Sequence, residues 1–238
     1  TRFGSSICDE TKRKLLAFWN AYVFFNTYAV IDKPDLKNFK LDEKNLTITD
    51  KWLFELTNKF IENSKANYEK QRFYLVVKDF ENYVDDLSNW YIRINRRRFW
   101  KSENKVDQLT AYYCLYNALK SCIRVMSPII PFLCEHIWQN LVVEMEDEVQ
   151  SVFLAGYPNV SSVSYPELIS QTEEAREIIA LAQRLRNENQ IKVKQPLKMM
   201  YLNIADSERD AIYNFEDIIK DEINVKKIVF EKDNSRFN

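Results

Sequence analysis

The residues best suited to chemistry lie in one short run, residues 88–101, where arginines are mixed with aromatic side chains. Arginine guanidinium groups pair with phosphates, and aromatic or guanidinium planes stack on unpaired bases, so the run combines the two tools that proteins use on RNA. Four arginines within six residues cannot all face a core. The candidate RNA contacts in this run are Asn89, Trp90, Arg93, Arg96, Arg97, Arg98 and Lys101.

Local charge supports this interpretation, although the whole chain has a formal net charge of only −1. Residues 88–105 hold six basic residues and one acidic residue, and residues 181–200 hold five basic residues and one acidic residue. The second cluster adds Lys192 and Lys194 as candidate RNA contacts. An ordinary solvated helix face is the alternative interpretation of both clusters.

A purely structural role is the other interpretation of the run. In that case Trp90, Phe99 and Trp100 anchor a core, and the arginines are bridged to carboxylates of the same chain. We expect this interpretation to hold for Tyr91, Ile94 and Trp100, which should be buried.

Residue types that support catalysis are scarce. His136 is the only histidine, and no His-Glu-x-x-His pattern surrounds it. The two glycines lie too far apart to form a phosphate-binding loop. The four cysteines lack the close pairs of a zinc site, and we expect them to be reduced and buried. The sequence therefore predicts no catalytic residue, metal or cofactor in this chain.

Helices must position the basic run, because apolar residues recur at helical spacing along most of the chain. The most regular helix has one stripe that we expect to be buried and an opposite, polar stripe that becomes basic at its C-terminal end. The first stripe consists of Phe73, Val77, Phe80, Val84, Leu87, Tyr91 and Ile94. The second consists of Asp79, Asn82, Asp86, Asn89, Arg93 and Arg96.

The predicted fold is mainly α, a helical bundle followed by a small α/β appendage. Residues 1–150 should form the bundle, with a helix that Thr49 or Asp50 caps. Residues 151–196 should be a linker and a connecting helix that begins with a capping box of Ser170 and Glu173. Residues 197–238 should form a strand–helix–strand module, with Ser207 capping its helix.

Residues 88–101 closely resemble the Trp-Tyr-x-Arg-x-x-Arg-Arg-Arg-Phe-Trp run in the anticodon-binding domain of isoleucyl-tRNA synthetases, a class Ia aminoacyl-tRNA synthetase family. Residues 18–29 are similar to the first helix of that domain, and residues 126–135 are similar to its Pro-x-x-Pro-Phe helix start. These segments occur in the family's order.

Two further segments resemble the family with one change each. Residues 151–158 are similar to its Ser-Val-His-Leu-x-x-x-Pro pattern, with Phe153 in place of histidine. Residues 186–197 are similar to its Ile-Lys-x-Arg-Gln-Pro-Leu step, with Lys194 in place of arginine. The resemblance thus covers nearly the whole chain.

The resemblance implies that the chain binds the anticodon stem and loop of isoleucine tRNA. Arg93, Arg96, Arg97 and Lys101 would contact phosphates, with Asn89 or Trp90 nearer the loop. ATP- and magnesium-dependent aminoacylation would belong to a catalytic domain of a longer cytoplasmic protein. The catalytic signatures His-Ile-Gly-His and Lys-Met-Ser-Lys-Ser do not occur in the sequence.

The implied partners are tRNA and the catalytic and editing domains of the same protein, which we expect to be a monomer. No membrane is expected, since no apolar run approaches the roughly 18 residues that could span one. The chain begins at Thr1, and we interpret it as a fragment of a longer protein.

Other functions remain open at this point. A helical scaffold that binds proteins would use its arginines in internal salt bridges. Synthetases for valine or leucine share the proline-rich helix start with the isoleucine family but lack its arginine run. An enzyme that is active by itself is excluded by the missing chemistry.

Overall fold

The computed structural model describes residues 4–143, 149–205 and 209–231, without the side chains of residues 5–8 and 10. The chain divides into two compact units, Thr1–Ser164 and Tyr165–Asn238. Helices dominate both units, which confirms the predicted mainly α class.

The first unit is a helical bundle. Its α-helices are α1 (Ser5–Asp32), α2 (Ile48–Glu69), α3 (Phe73–Asp86), α4 (Arg93–Trp100), α5 (Lys105–Met126) and α6 (Pro131–Trp138). Short π-helical segments follow α3 and α6 at Leu87–Ile92 and Gln139–Val143, and 3₁₀ turns lie at Glu43–Asn45 and Val152–Leu154. Helix α5 packs against α1, α2, α4 and α6 and so lies at the centre of the core.

Helix α2 begins two or three residues earlier than the sequence predicts, since Thr49 or Asp50 was the expected cap. Thr47 is the N-cap, and its Oγ1 accepts a hydrogen bond from the Asp50 backbone N–H at 3.2 Å. The Asp50 carboxylate in turn accepts a hydrogen bond from the Thr47 backbone N–H at 3.0 Å. This capping box directs the Asp50 carboxylate into the first turn of α2, where Asp50 is fully buried.

The predicted long helix is present from α3 through α4, and the π-helical segment Leu87–Ile92 joins its two parts. Val84, Leu87 and Tyr91 are buried as predicted. Phe73 is 54% exposed, because it lies in the first turn of α3, before the helix reaches the core. Ile94 is only half-buried.

The second unit consists of α7 (Glu167–Glu188), β1 (Met200–Leu202), α8 (Arg209–Ile223) and β2 (Ile228–Phe230). The two strands pair in parallel, with Met200 opposite Ile228, and α8 forms the crossover between them. Helix α7, which was predicted to be a connection, packs against α8 within this unit.

The predicted capping box in α7 is wrong. The helix begins at Glu167, and the Ser170 hydroxyl donates a hydrogen bond to the Glu167 carbonyl at 3.1 Å within the first turn. Ser207, predicted to cap the next helix, lies outside the described residues. Cys114, Cys122 and Cys134 are buried and form no disulfide, while the side chain of Cys8 lies outside the described part.

Candidate nucleic-acid interface

The outer side of α4 brings together most of the residues predicted from the run. Asn89, Arg93, Arg96, Arg97 and Lys101 are all exposed. Their spacing is three or four residues, except for the adjacent pair Arg96 and Arg97, which both follow Arg93 by about one turn. This spacing places them on the same side of the helix. We call Arg93, Arg96, Arg97 and Lys101 the α4 basic face.

Two guanidinium groups of this face, those of Arg93 and Arg96, lie over aromatic rings. The Nε of Arg93 donates to the Asn89 carbonyl at 2.8 Å, and its guanidinium carbon lies 5.8 Å from the ring centroid of Trp90. The guanidinium carbon of Arg96 lies 5.9 Å from the ring centroid of Phe24 on α1. Such contacts fix the direction of each cation, and the contact of Arg96 leaves its hydrogen-bond donors available for an anion.

Carboxylates do not neutralise the outermost cations. Within the ranges that the structure describes, Arg96, Arg97 and Lys101 form no ion pair. The alternative interpretation, in which the arginines are bridged to carboxylates of the same chain, therefore does not hold for Arg96 and Arg97.

Trp90 and Trp100 have the opposite surroundings from those predicted. Trp90 is only 5% exposed and lies beneath Arg93, so it is removed from the candidate contacts. Trp100 was expected to be buried and is 57% exposed, so that prediction is wrong. The physical reason is helical spacing: Trp100 follows Arg96 by four residues and shares its outward direction.

Arg98 is the second correction among the predicted contacts. Its side chain is 13% exposed, and Nη1 and Nη2 donate to the two carboxylate oxygens of Asp50, each at 2.8 Å. Its Nε donates to Asp107 Oδ1 at 2.9 Å. Arg98 is thus used inside the protein, where it joins the first turns of α2 and α5 to α4, and it has no free face for a phosphate.

The surroundings of Arg98 stabilise its charge. Burial opposes the charged guanidinium, but Asp50, with smaller contributions from Tyr91 and Asp107, outweighs this effect, and the pKa of Arg98 is raised. Tyr91 donates to the same carboxylate at 2.7 Å, and burial together with the negative charge of Asp50 raises the pKa of Tyr91 well above its usual value. The network holds α4 in one rotation about its axis, which decides which arginines face outward.

The second predicted cluster lies in the turn after α7, in the other compact unit. Lys192 and Lys194 are exposed there. Arg186, which contributed to the charge of this cluster, is 4% exposed and not available to a ligand. Its guanidinium donates to the carbonyls of Lys192 and Gln195 at 3.2 and 3.1 Å.

The described residues offer little other chemistry. They contain no group of three or more histidine, cysteine, aspartate or glutamate residues that could hold a metal. His136 is exposed, and its ring centroid lies 5.6 Å from that of Trp19. None of the described helices is both long enough and apolar enough to cross a membrane.

A family model described as the anticodon-binding domain of tRNA ligase matches residues 50–201, which include all of α4 and the turn with Lys192 and Lys194. The chain belongs to this family of anticodon-binding domains. The resemblance predicted from residues 88–101 is therefore confirmed, and the basic face of this anticodon-binding domain lies within the matched region.

Curated relatives agree with the family match. The chain is 36% identical over 240 residues to the isoleucine–tRNA ligase of Clostridium novyi. The match covers 100% of this chain and 23% of that protein. The chain is 35% identical over 237 residues to the enzyme of Treponema pallidum, covering 94% of this chain and 22% of that protein. The chain is 34% identical over 227 residues to the isoleucine–tRNA ligase of Chlamydia caviae, and the match covers 95% of this chain and 22% of that protein. The chain thus spans less than a quarter of the length of these relatives.

Proposed function

We propose that this chain binds the anticodon stem-loop of isoleucine tRNA through the α4 basic face, as the tRNA-recognition part of an isoleucyl-tRNA synthetase. The observation that carries the proposal is the exposed face itself, in which Arg96, Arg97 and Lys101 have no carboxylate partner among the described residues. The family match supports an RNA ligand for this face, and the relatives support isoleucine tRNA.

The α4 basic face has the dimensions of a backbone-binding surface. Arg93 and Lys101 are eight residues apart, which corresponds to about 12 Å along a helix. Guanidinium groups along that length can pair with more than one phosphate of the same strand. Lys192 and Lys194 are proposed as further phosphate contacts in the second unit.

Aminoacylation would take place in a catalytic domain of the whole synthetase, with ATP and magnesium bound there and an editing domain beside it. The chain matches only 22 to 23% of the length of its relatives, which supports the assignment of aminoacylation to other domains of the whole protein. In this proposal the whole protein works as a cytoplasmic monomer, and the present chain supplies recognition and no catalytic group.

The proposal is tested by measuring the affinity of the 238-residue chain for isoleucine tRNA at several salt concentrations. Arg96→Ala/Arg97→Ala should weaken binding roughly 30-fold, because each of the two lost arginine–phosphate pairs contributes about 1 kcal/mol to the binding free energy. The salt dependence should also flatten by about 1.5 in the slope of log K against log [salt], because two phosphate contacts are lost.

The matched control is Lys59→Ala/Lys65→Ala, which removes the same charge from exposed positions of α2. It should change neither the affinity nor the slope appreciably. Isoleucine tRNA with an altered anticodon, and valine and leucine tRNAs, complete the experiment and should bind more weakly. Unchanged affinity and slope in the arginine variant would overturn the proposal, and a protein-binding scaffold would bind none of the tRNAs.

A further inference from the structure

Trp100 is a large apolar side chain that is 57% exposed at the last residue of α4. Exposure alone does not distinguish it, because Tyr74 is 71% exposed. The neighbours of Trp100 distinguish it, because Arg96 and Arg97 lie one turn before it and Lys101 follows it. Residues three or four apart on a helix have about 5–6 Å between their Cβ atoms. A bare aromatic plane therefore lies within the positively charged patch.

The outward direction of Trp100 is fixed by the residues beside it. Phe99 is fully buried, with its ring centroid 5.1 Å from that of Phe24 on α1 and 5.1 Å from that of Tyr112 on α5. Arg98 is bound inside the bundle. Because two successive residues of α4 are held inward, the helix cannot rotate, and Trp100 is presented to solvent before any ligand arrives.

We infer that Trp100 is a stacking platform for one unpaired base of the anticodon loop, with Arg96, Arg97 and Lys101 pairing with the flanking phosphates. This inference rests on the proposed function. An aromatic plane surrounded by cations suits a single strand, which offers a base face and phosphates together. Paired bases inside a duplex stack on both of their neighbours and expose no face. Trp90 cannot take this role, since it is buried.

The experiment compares three RNA probes bound by the 238-residue chain. The first is the anticodon hairpin of isoleucine tRNA, the second is a set of the same hairpin with one abasic site at each loop position, and the third is the blunt duplex of the stem. The protein variants are Trp100→Leu, Trp100→Phe and the control Tyr74→Leu, which removes another exposed aromatic side chain from the same unit.

Trp100→Leu should weaken hairpin binding about tenfold to a hundredfold, which is the usual range for loss of one stacked base. The slope of log K against log [salt] should not change, because no phosphate contact is lost. Trp100→Phe should restore most of the affinity, duplex binding should be unaffected, and Tyr74→Leu should behave as the unchanged chain. One abasic position should abolish the difference in affinity between the unchanged chain and Trp100→Leu, since it removes the same contact from the RNA side.

Tryptophan fluorescence gives a second readout. Hairpin binding should quench the emission of the unchanged chain and of Tyr74→Leu, and the quenching should be reduced in Trp100→Leu. An equal loss of affinity for hairpin and duplex would overturn the inference, as would coupling to no loop position.

The experiment separates this inference from the proposed function. If Arg96→Ala/Arg97→Ala weakens hairpin binding while Trp100→Leu stays within twofold of the unchanged chain, the stacking role is overturned and the proposed function stands. If the unchanged chain does not bind the hairpin, both are overturned.

Discussion

Arg98 places a positive charge inside the first unit, and its neighbours offset the cost of burying it. Asp50 supplies two carboxylate oxygens, and Asp107 supplies a third acceptor. A buried ion pair contributes little compared with a well-packed apolar pair, but removing one partner leaves an uncompensated charge. Loss of Arg98 would therefore destabilise the protein mainly because the carboxylate of Asp50, which is fully buried, would have no ion-pair partner.

Arg98→Met should destabilise the first unit by about 3–5 kcal/mol, because Asp50 would lose its main partner. Urea unfolding followed by tryptophan fluorescence measures this, since all five tryptophans lie in the first unit and report on it alone. Arg97→Met is the matched control and should change stability by less than about 0.5 kcal/mol.

The double variant Asp50→Asn/Arg98→Met should cost less than the two single changes added together, since each single change breaks the same pair. A loss below about 1 kcal/mol for Arg98→Met would contradict the role given to this network.

Helical spacing predicts which way Arg98 and Trp100 face better than the presence of a run of arginines does. Arg98 follows Ile94 by four residues, so the predicted buried stripe, extended by one step, reaches it. The predicted polar stripe, extended from Arg96, reaches Trp100. The partners were beyond prediction, because Asp50 lies 48 residues from Arg98 in sequence and no local pattern joins them.

The turn after α7 is an element held in shape by one buried side chain. Arg186 donates to carbonyls at both ends of this turn, and its Nη2 also donates to the carbonyls of Ile223 and Asn224 at 2.6 and 3.1 Å. The last two acceptors lie at the C-terminal end of α8, where a positive charge is stabilised by the helix dipole. Arg186 thus joins the turn with Lys192 and Lys194 to the end of α8.

Arg186→Met should loosen this turn, because four carbonyls lose a hydrogen bond from the guanidinium. A buried group that is left unsatisfied costs about 1–3 kcal/mol. Native-state hydrogen exchange measures this at the amides of Leu197 and Lys226, which bond across the junction. Both should exchange at least about tenfold faster.

Arg184→Met is the matched control for this change. Its side chain is 68% exposed, and its pair with Glu188 spans 3.6 Å, so exchange should stay unchanged. Equal protection of Leu197 and Lys226 in Arg186→Met and in the unchanged chain would contradict the role of Arg186.

Element types were predictable from spacing, while element ends and irregular turns were not. Thr49 or Asp50 is the predicted cap of α2, but Thr47 is the residue that accepts a free backbone N–H of the first turn, and residue type alone does not separate the three. The π-helical segment Leu87–Ile92 shifts the buried stripe by one residue, so that Asn95 is buried while Ile94 is only half-buried. The local composition gives no signal that predicts this π-helical segment.

At the scale of the whole molecule, composition and helical spacing were enough to predict a mainly α fold, and the motifs were enough to predict the family. Spacing does not show which neighbour a helix packs against, and α7 illustrates this limit, because its apolar stripe fits a connecting helix as well as a partner for α8. The predicted division at residues 150 and 196 remains a prediction beside the two units found, Thr1–Ser164 and Tyr165–Asn238.

The central claim is that the α4 basic face binds the anticodon stem-loop, and hydroxyl-radical footprinting of isoleucine tRNA with the 238-residue chain tests it most directly. We expect protection of backbone positions in the anticodon stem and loop, reduced in Arg96→Ala/Arg97→Ala and retained in Lys59→Ala/Lys65→Ala. Protection confined to the acceptor stem or the elbow of the tRNA, or a footprint that both double variants leave intact, would contradict it.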